Sequence, residues 1–436
     1  MRLPLVIRAI AATVIASLVA SLPPAPLAAQ RLVTRADAER AALAAGPRVA
    51  LARADTALAR AAVLTARARP NPSLAATHSG APPQKHLIVD VPFDAPWARG
   101  PRLGSAQAAS RSARFRFLSE QAAALLDVDT TYTRALGAQA RFRLSRQTAR
   151  DADSLRGMSV QRRNAGDASD LDVDLATVVA GQQANVASRD SLAYAVSVLT
   201  IQTLMGMPAD STTIVLADSL RLGPADARLL LRDTDSASFM AALVAPARIR
   251  RDAAAFAMTP GIAAAEASLD AAEQGIVRDR RSRFGTTSFQ AGVEWGDPTV
   301  MPPDNERLFL LGVSIPLPLF SQNQGAIAQS VAERDRARAE LSRVRLETRQ
   351  RIAEGFRELA SLRSRVARDE DLVVRADRVA GKSLTAYREG ASALPAVLEA
   401  RRAAREVLAQ YIDDLTALLT VQAELRVLGQ GVPPQP

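Results

Sequence analysis

The chain has 436 residues, 55 Lys+Arg against 45 Asp+Glu, two His, no Cys and 4% aromatic residues, with a formal net charge of +10. Without Cys there is no disulfide framework, thiolate zinc site, cysteine nucleophile or lipobox cysteine for acylation, and His78 and His86 alone supply neither a polyhistidine metal centre nor an ordinary serine triad. Every positive residue except Lys85 and Lys382 is Arg, interleaved with acids as in Glu333-Arg334-Asp335-Arg336. That pattern reads as a solvated helix face, so nucleic acid is not an expected partner.

Residues 1–29 read as a signal peptide. Arg2 and Arg8 flank an apolar stretch through Ile10, Val14, Ile15, Leu18 and Val19, and small residues at Ala25, Ala28 and Ala29 precede a cleavage point after Ala29. An uncleaved signal anchor is the weaker reading, because Pro23, Pro24 and Pro26 interrupt a short helix. The expected protein is exported.

Residues 31–69 follow a helical pattern, broken at Gly46-Pro47 and ended by Pro70-Asn71-Pro72. A short extended region runs to Phe93, and Arg99 to Arg163 is helical again. After the break at Asn164-Ala165-Gly166-Asp167, helix resumes from Ser169 to Leu204 and stops at Gly206-Met207-Pro208. Residues 209–235 show no clear period. The same order then returns: helix over 236–257, a break at Thr259-Pro260-Gly261, helix from Ile262 to Arg281, strands over 284–295 and 307–315, helix from Ser321 to Arg388, a break at Gly390-Ala391-Ser392, and helix to Leu428-Gly429. Pro47 and Pro260 lie 213 positions apart, and Gly166 and Gly390 lie 224 apart. This is a duplicated helix–hairpin–helix unit, dividing the chain into a first repeat at 30–230 and a second at 231–436.

The pattern over 321–388 carries an apolar stripe at Leu341, Val344, Ile352, Phe356, Leu359, Leu362, Val366, Val373, Ala380 and Leu384. At 1.5 Å per residue such a helix is about 100 Å long, more than twice the width of a globular domain of this size, so it must pair along its length. The strands alternate: Leu87, Val89, Val91 and Phe93 oppose His86 and Asp90, while Phe289, Ala291 and Val293 oppose Gln290 and Glu294. Phe309, Leu311, Val313 and Ile315 form another apolar face. One greasy and one polar face suits a transmembrane barrel, and four strands per chain need several chains to close one. A small soluble hairpin packed on helices is the competing reading.

Three stretches resemble the TolC-like outer-membrane efflux protein family. They are Ile315-Pro316-Leu317-Pro318-Leu319-Phe320 with Asn323-Gln324-Gly325; Tyr387-Arg388-Glu389-Gly390-Ala391-Ser392, echoed by Gly166-Asp167-Ala168-Ser169; and the helix ends Leu204-Met205-Gly206-Met207-Pro208 and Leu425-Arg426-Val427-Leu428-Gly429. The first is closest to the heavy-metal, CzcC-like branch. The resemblance implies a mainly α chain with a small β part. Its long antiparallel coiled-coil helices would build a trimeric α-barrel tunnel, and its four strands a share of a 12-stranded transmembrane β-barrel. It further implies an outer-membrane exit duct with a long periplasmic extension, working with a periplasmic adaptor (membrane fusion protein) and an inner-membrane transporter. No enzyme activity, cofactor or metal site is expected.

The resemblance makes the helix turns the periplasmic tip, where the adaptor docks and the tunnel closes. Gly166 and Gly390 reverse the chain, and Ser169 and Ser392 are candidate caps for the returning helices. Asp167, Asp170, Asp172 and Asp174 would form acidic rings or complement the helix dipole, and Arg163 and Arg388 would pair with them to hold the tip shut. Pro316, Pro318, Phe320, Asn323 and Gly325 mark the passage from barrel to helix, and Trp295, Phe309 and Phe320 are candidates for an interfacial aromatic belt. A soluble periplasmic coiled-coil adaptor and an exported polyanion-binding protein are the rival functions.

Overall fold

The computed structural model describes residues 31–81, 83–209, 214–220, 259–296 and 307–429. The signal sequence, the helix read over 236–257 and the turn at 297–306 lie outside them. Two helices, α1 (Arg35–Ala45) and α2 (Pro47–Arg67), lead to strands β2 (Ser73–His78) and β3 (Lys85–Phe93), after a short first strand β1 (Arg31–Val33). Then come α3 (Pro96–Asn164), α4 (Asp170–Leu204) and β4 (Ile214–Leu216). The remaining elements are α5 (Pro260–Arg281), β5 (Thr287–Trp295), β6 (Leu308–Ser314), α6 (Gln324–Arg388) and α7 (Leu394–Gly429).

The helices α3, of 69 residues, and α6, of 65, are each about 100 Å long and run the length of the molecule. Near the strands, α3 and α6 are linked through α2 and α5 in the lateral order α2–α3–α5–α6. Toward the opposite end α4 and α7 take over, in the order α4–α3–α7–α6. Among the described residues each end of the rods is therefore a strip four helices wide. Close approach is needed where α3 meets α7: a Cβ on Gly137 would lie 2.4 Å from the Thr416 hydroxyl, so any side chain there would push the rods apart. Along the α6–α7 seam, Leu359, Leu362 and Val366 bury against Leu415, Leu418 and Leu419, part of the stripe that the periodicity marks.

Three helices start earlier than the sequence pattern suggests. Pro47 and Pro260, read as breaks, and Pro96, which precedes the expected start at Arg99, each occupy the first turn of a helix. Proline lacks an N–H that the first turn does not use, and its φ is already helical. In contrast α6 starts three residues later than expected, after Asn323 in the left-handed region (φ +61°).

Residues 31–33, read as helix, instead form a strand that pairs in parallel with Ile214–Leu216. This pair packs midway along α3. Val33, Ile214 and Leu216 are buried with Val128, Tyr132, Leu136, Val198 and Ile201. The Tyr132 hydroxyl lies 2.9 Å from the Val33 carbonyl and 2.8 Å from Asp218 Oδ2, which also accepts from the Arg35 amide at 2.9 Å. Burial, then the Asp218 contact, pushes the Tyr132 phenol well above its ordinary pKa. Arg35 closes the cluster on Asp129 (2.6 Å) and Thr133 (3.1 Å).

Candidate functional site: a sheet, a junction and a pair of helix tips

The second sheet is antiparallel in the order β2–β3–β5–β6. Its register brings Leu74, Val89, Ala291 and Leu311 into one row, with Val91, Phe289 and Val313 in the next. The apolar alternation thus becomes one continuous face, and it is open: Phe309 is 83% and Leu311 84% exposed, with Leu87, Val89, Val91, Phe93, Phe289 and Val313 exposed beside them. The other face carries His86 opposite Glu294, Asp90 opposite Gln290, and Ser288 opposite Ser314. His86 Nδ1 lies 3.0 Å from Glu294 Oε1. A soluble hairpin would bury the apolar side and solvate the polar one; here the apolar side is the more exposed.

Strands β2 and β6 form the two edges, with no further strand beside them among the described residues. Pro92, in the central strand β3, is tolerated because the register carries it past the start of β2, so it has one strand neighbour, Ser288. All the rods join the sheet at one end, where α2 and α5 precede β2 and β5 and where α3 and α6 follow β3 and β6.

Two clamps hold the rods to the sheet. After β3, Asp94 pairs with Arg99 (3.3 Å) and Arg102 (2.9 Å), and Arg102 also donates to the Ala66 carbonyl at the end of α2 (3.1 Å). After β6, Asn323 Nδ2 donates to the Asp279 carbonyl and to Ser282 Oγ, both at 2.9 Å. The Asp279 carboxylate takes Arg278 at 2.7 Å and the Ser330 hydroxyl, and the Arg278 hydrogen bond holds its pKa below the ordinary carboxylate value. Of the remaining motif residues, Pro316 packs where a Cβ on Gly285 (φ +43°) would come within 2.6 Å of it. Pro318 lines the same groove. Phe320 is 94% exposed, and Gly325 has open space around its Cβ position. Trp295 and Phe309 stand at the far end of the sheet, Phe320 at the rod end.

At the other end of the rods, Gly166 (φ +87°) and Gly390 (φ +76°) turn α3 into α4 and α6 into α7, a backbone conformation that glycine adopts without steric cost. Ser169 caps α4 and completes a capping box with Asp172. Ser392 does not cap α7: the position before Leu394 belongs to Ala393, because Ser392 is one residue closer to its glycine than Ser169 is to Gly166. Arg163 reaches Asp170 at 3.3 Å in an exposed contact within its own turn. Arg388 forms no ion pair among the described residues, so the expected pairing of Arg388 with tip acids is not formed within one chain. Asp167 faces the groove between the two turns, while Asp172 is occupied by the cap.

The residue that joins the tips is Arg162. Its Nη1 donates to the Tyr387 carbonyl at 2.7 Å, and its guanidinium sits 4.8 Å from the Tyr387 ring centroid. Ser159 Oγ lies 3.4 Å from the Tyr387 hydroxyl. Leu155, Ala176, Leu394 and Val397 bury the base of this contact. Superposing Gly166 on Gly390 would have singled out Tyr387, since it stands three residues before Gly390 as Arg163 stands before Gly166. Among the described residues no cluster of three metal-binding side chains occurs, and no helix is long and apolar enough to cross a membrane.

No curated protein matches the chain. Among solved structures, a membrane protein from Pseudomonas aeruginosa superposes with a TM-score of 0.70 at 17% identity, over 94% of this chain and 98% of that one. The Campylobacter jejuni CmeC outer membrane channel gives 0.73 at 12% identity over 91% and 85%. The outer membrane protein VceC from Vibrio cholerae gives 0.68 at 16% identity over 91% and 96%. At these identities the likeness is one of fold. Residues 254–429, spanning α5 to α7, match the family model of outer membrane efflux proteins, so this part carries that family's sequence pattern on a chain with the fold of solved outer-membrane channels.

Proposed function

We propose that the chain is one protomer of a passive outer-membrane exit duct that conducts its cargo from periplasm to exterior. The observation that carries this reading is the four-stranded sheet with an exposed apolar face, a polar face behind it, two open edges, and 100 Å rods leaving one end. Four strands cannot close; three chains supply twelve, with β6 of one chain antiparallel to β2 of the next. The strip has complementary open sides for the same closure. Leu51, Leu58 and Leu64 on α2 and Leu171, Leu192 and Val196 on α4 are exposed along one edge, and Leu346, Leu372, Val374 and Val379 on the long helix α6 are exposed as well. A head-to-tail contact of this kind closes a ring when the rotation fits. The exposed apolar sheet speaks against a soluble periplasmic adaptor, which has no use for it.

In this reading the duct inserts in the outer membrane after export, and its tips meet a periplasmic adaptor that links it to an inner-membrane transporter, which supplies the energy. Asp167 and Asp170 favour cations at the mouth, and Arg163 and Arg388 restrict it. The motif at Ile315–Gly325 suggests heavy-metal cations as cargo, tested by scoring a deletion strain for sensitivity to zinc, cobalt, copper and hydrophobic drugs. The channel itself is tested in planar bilayers. Discrete conductance steps are expected, and Arg388→Glu should enlarge them; a protein soluble without detergent that forms no pores would refute the reading.

A further inference from the structure

The junction between β6 and α6 has a feature that neither the barrel nor the rods require. Leu317 (72% exposed), Leu319 (71%) and Phe320 point away from the protein, beyond the last paired residue of the sheet. Beside them is a groove of about 290 Å³, small for a drug-sized ligand. Its walls are polar at Ser282, Arg283, Ser321 and Asn323 and apolar at Pro316 and Leu317. The turn that supplies Arg283 comes directly after Arg280 and Arg281, both exposed and without an ion pair among the described residues. Arg278, Arg280 and Arg281 all stand in the last turn of α5, where they complement the helix dipole, but of the three only Arg278 has an ion pair among the described residues, with Asp279. An arginine in the groove, two more in the helical turn just before it and an outward apolar loop are the chemistry that recognises an anionic lipid at a membrane surface.

We propose that this junction groove seats the phosphate headgroup of an anionic phospholipid from the periplasmic leaflet, with Arg283 in the groove and the exposed Arg280 and Arg281 of the preceding helical turn adding positive charge. The acyl chains lie along Leu317, Leu319 and Phe320, continuing the apolar surface formed by Val313 and Phe289. The same contact fixes the depth of the sheet in the bilayer. The inference rests on the outer-membrane reading, since it places the rod end of the sheet at the inner leaflet.

The test uses the purified full chain in nanodiscs of phosphatidylcholine with and without phosphatidylglycerol, with native mass spectrometry counting retained lipid and planar-bilayer conductance measured in parallel. Wild type should retain phosphatidylglycerol in preference to phosphatidylcholine. Replacing Arg280, Arg281 and Arg283 together by Gln should weaken that retention by about two orders of magnitude, at about fivefold per cation, while pores persist. Leu317→Asn with Phe320→Asn should shorten retention of both lipids. Equal retention of the two lipids by wild type overturns the proposal without any variant, as does unchanged retention in the triple variant. If inorganic phosphate displaces the lipid at equal concentration, the groove is a phosphate site and the lipid assignment falls. Absence of pores in wild type would instead refute the channel reading itself.

Discussion

Arg162→Ala should uncouple the two helix tips. The side chain contributes one charged hydrogen bond to a backbone carbonyl at 2.7 Å and a cation–π contact at 4.8 Å. Charged hydrogen bonds contribute about 1.5–3 kcal/mol and exposed cation–π contacts about 0.5–1 kcal/mol. Arg162 is half-buried, so the lower ends apply, and the sum is about 2 kcal/mol. That is roughly a thirtyfold increase in the local opening equilibrium. Amide hydrogen exchange reads it directly: protection across 158–167 and 384–391 should fall by about that factor, with no change near Tyr132. Arg162→Lys should recover part of the protection, because it keeps the charge and loses the planar stack. If Arg162→Ala leaves exchange unchanged while Arg163→Ala raises it, the assignment of the latch is wrong.

Other substitutions test the remaining elements. Tyr132→Phe removes the one phenol proton shared between the Val33 carbonyl and the Asp218 carboxylate and should cost about 1–2 kcal/mol in denaturant unfolding, loosening the β1–β4 pair first. Asp369 on α6 has its pKa raised by burial and by the neighbouring Asp414 of α7, which Arg365 clamps. The folded protein therefore binds this proton more tightly than the unfolded chain, so stability falls as pH rises from the ordinary carboxyl value of 3.8 through the folded value. Asp369→Asn should remove that fall and raise the midpoint of thermal unfolding at neutral pH; a variant with the wild-type pH profile would exclude Asp369 as its origin. Val89→Arg, at the centre of the exposed apolar face, should cost about 2–4 kcal/mol in lipid, whereas Gln290→Arg on the polar face should cost under about 1 kcal/mol. Equal costs would show that both faces meet water.

Much of this architecture is legible in the amino-acid sequence, because its signals are long. The stripe on α6 repeats over many turns, and the alternation in β3, β5 and β6 survives as one exposed face. The features that sequence patterns conceal are short or relational. Arg31–Val33 and Ile214–Leu216 have three residues each, too few to show a period, and are strands only because Tyr132 and Ile201 bury them. Pro47 and Pro260 look like breaks because proline at the start of a helix and proline after its end differ only in the side on which the helix lies. At the tip, glycine spacing locates both turns, but an offset of one residue decides that Ser169 caps and Ser392 does not. Arg162 lies beside a residue of the same type, and only its contact with Tyr387 of α6 distinguishes it from Arg163.

In the proposed duct β2, β3, β5 and β6 span a lipid bilayer, with one face in lipid and the other in an aqueous lumen. The chain contains no Cys, so single cysteines can be introduced without background. Placed one at a time from His86 to Val91 in protein embedded in outer-membrane vesicles, they can be probed with a membrane-impermeant thiol reagent and with a lipid-soluble one. Strict alternation is expected: positions 86, 88 and 90 react with the aqueous reagent, and positions 87, 89 and 91 only with the lipid-soluble one. Uniform reactivity with the aqueous reagent along the strand would contradict it.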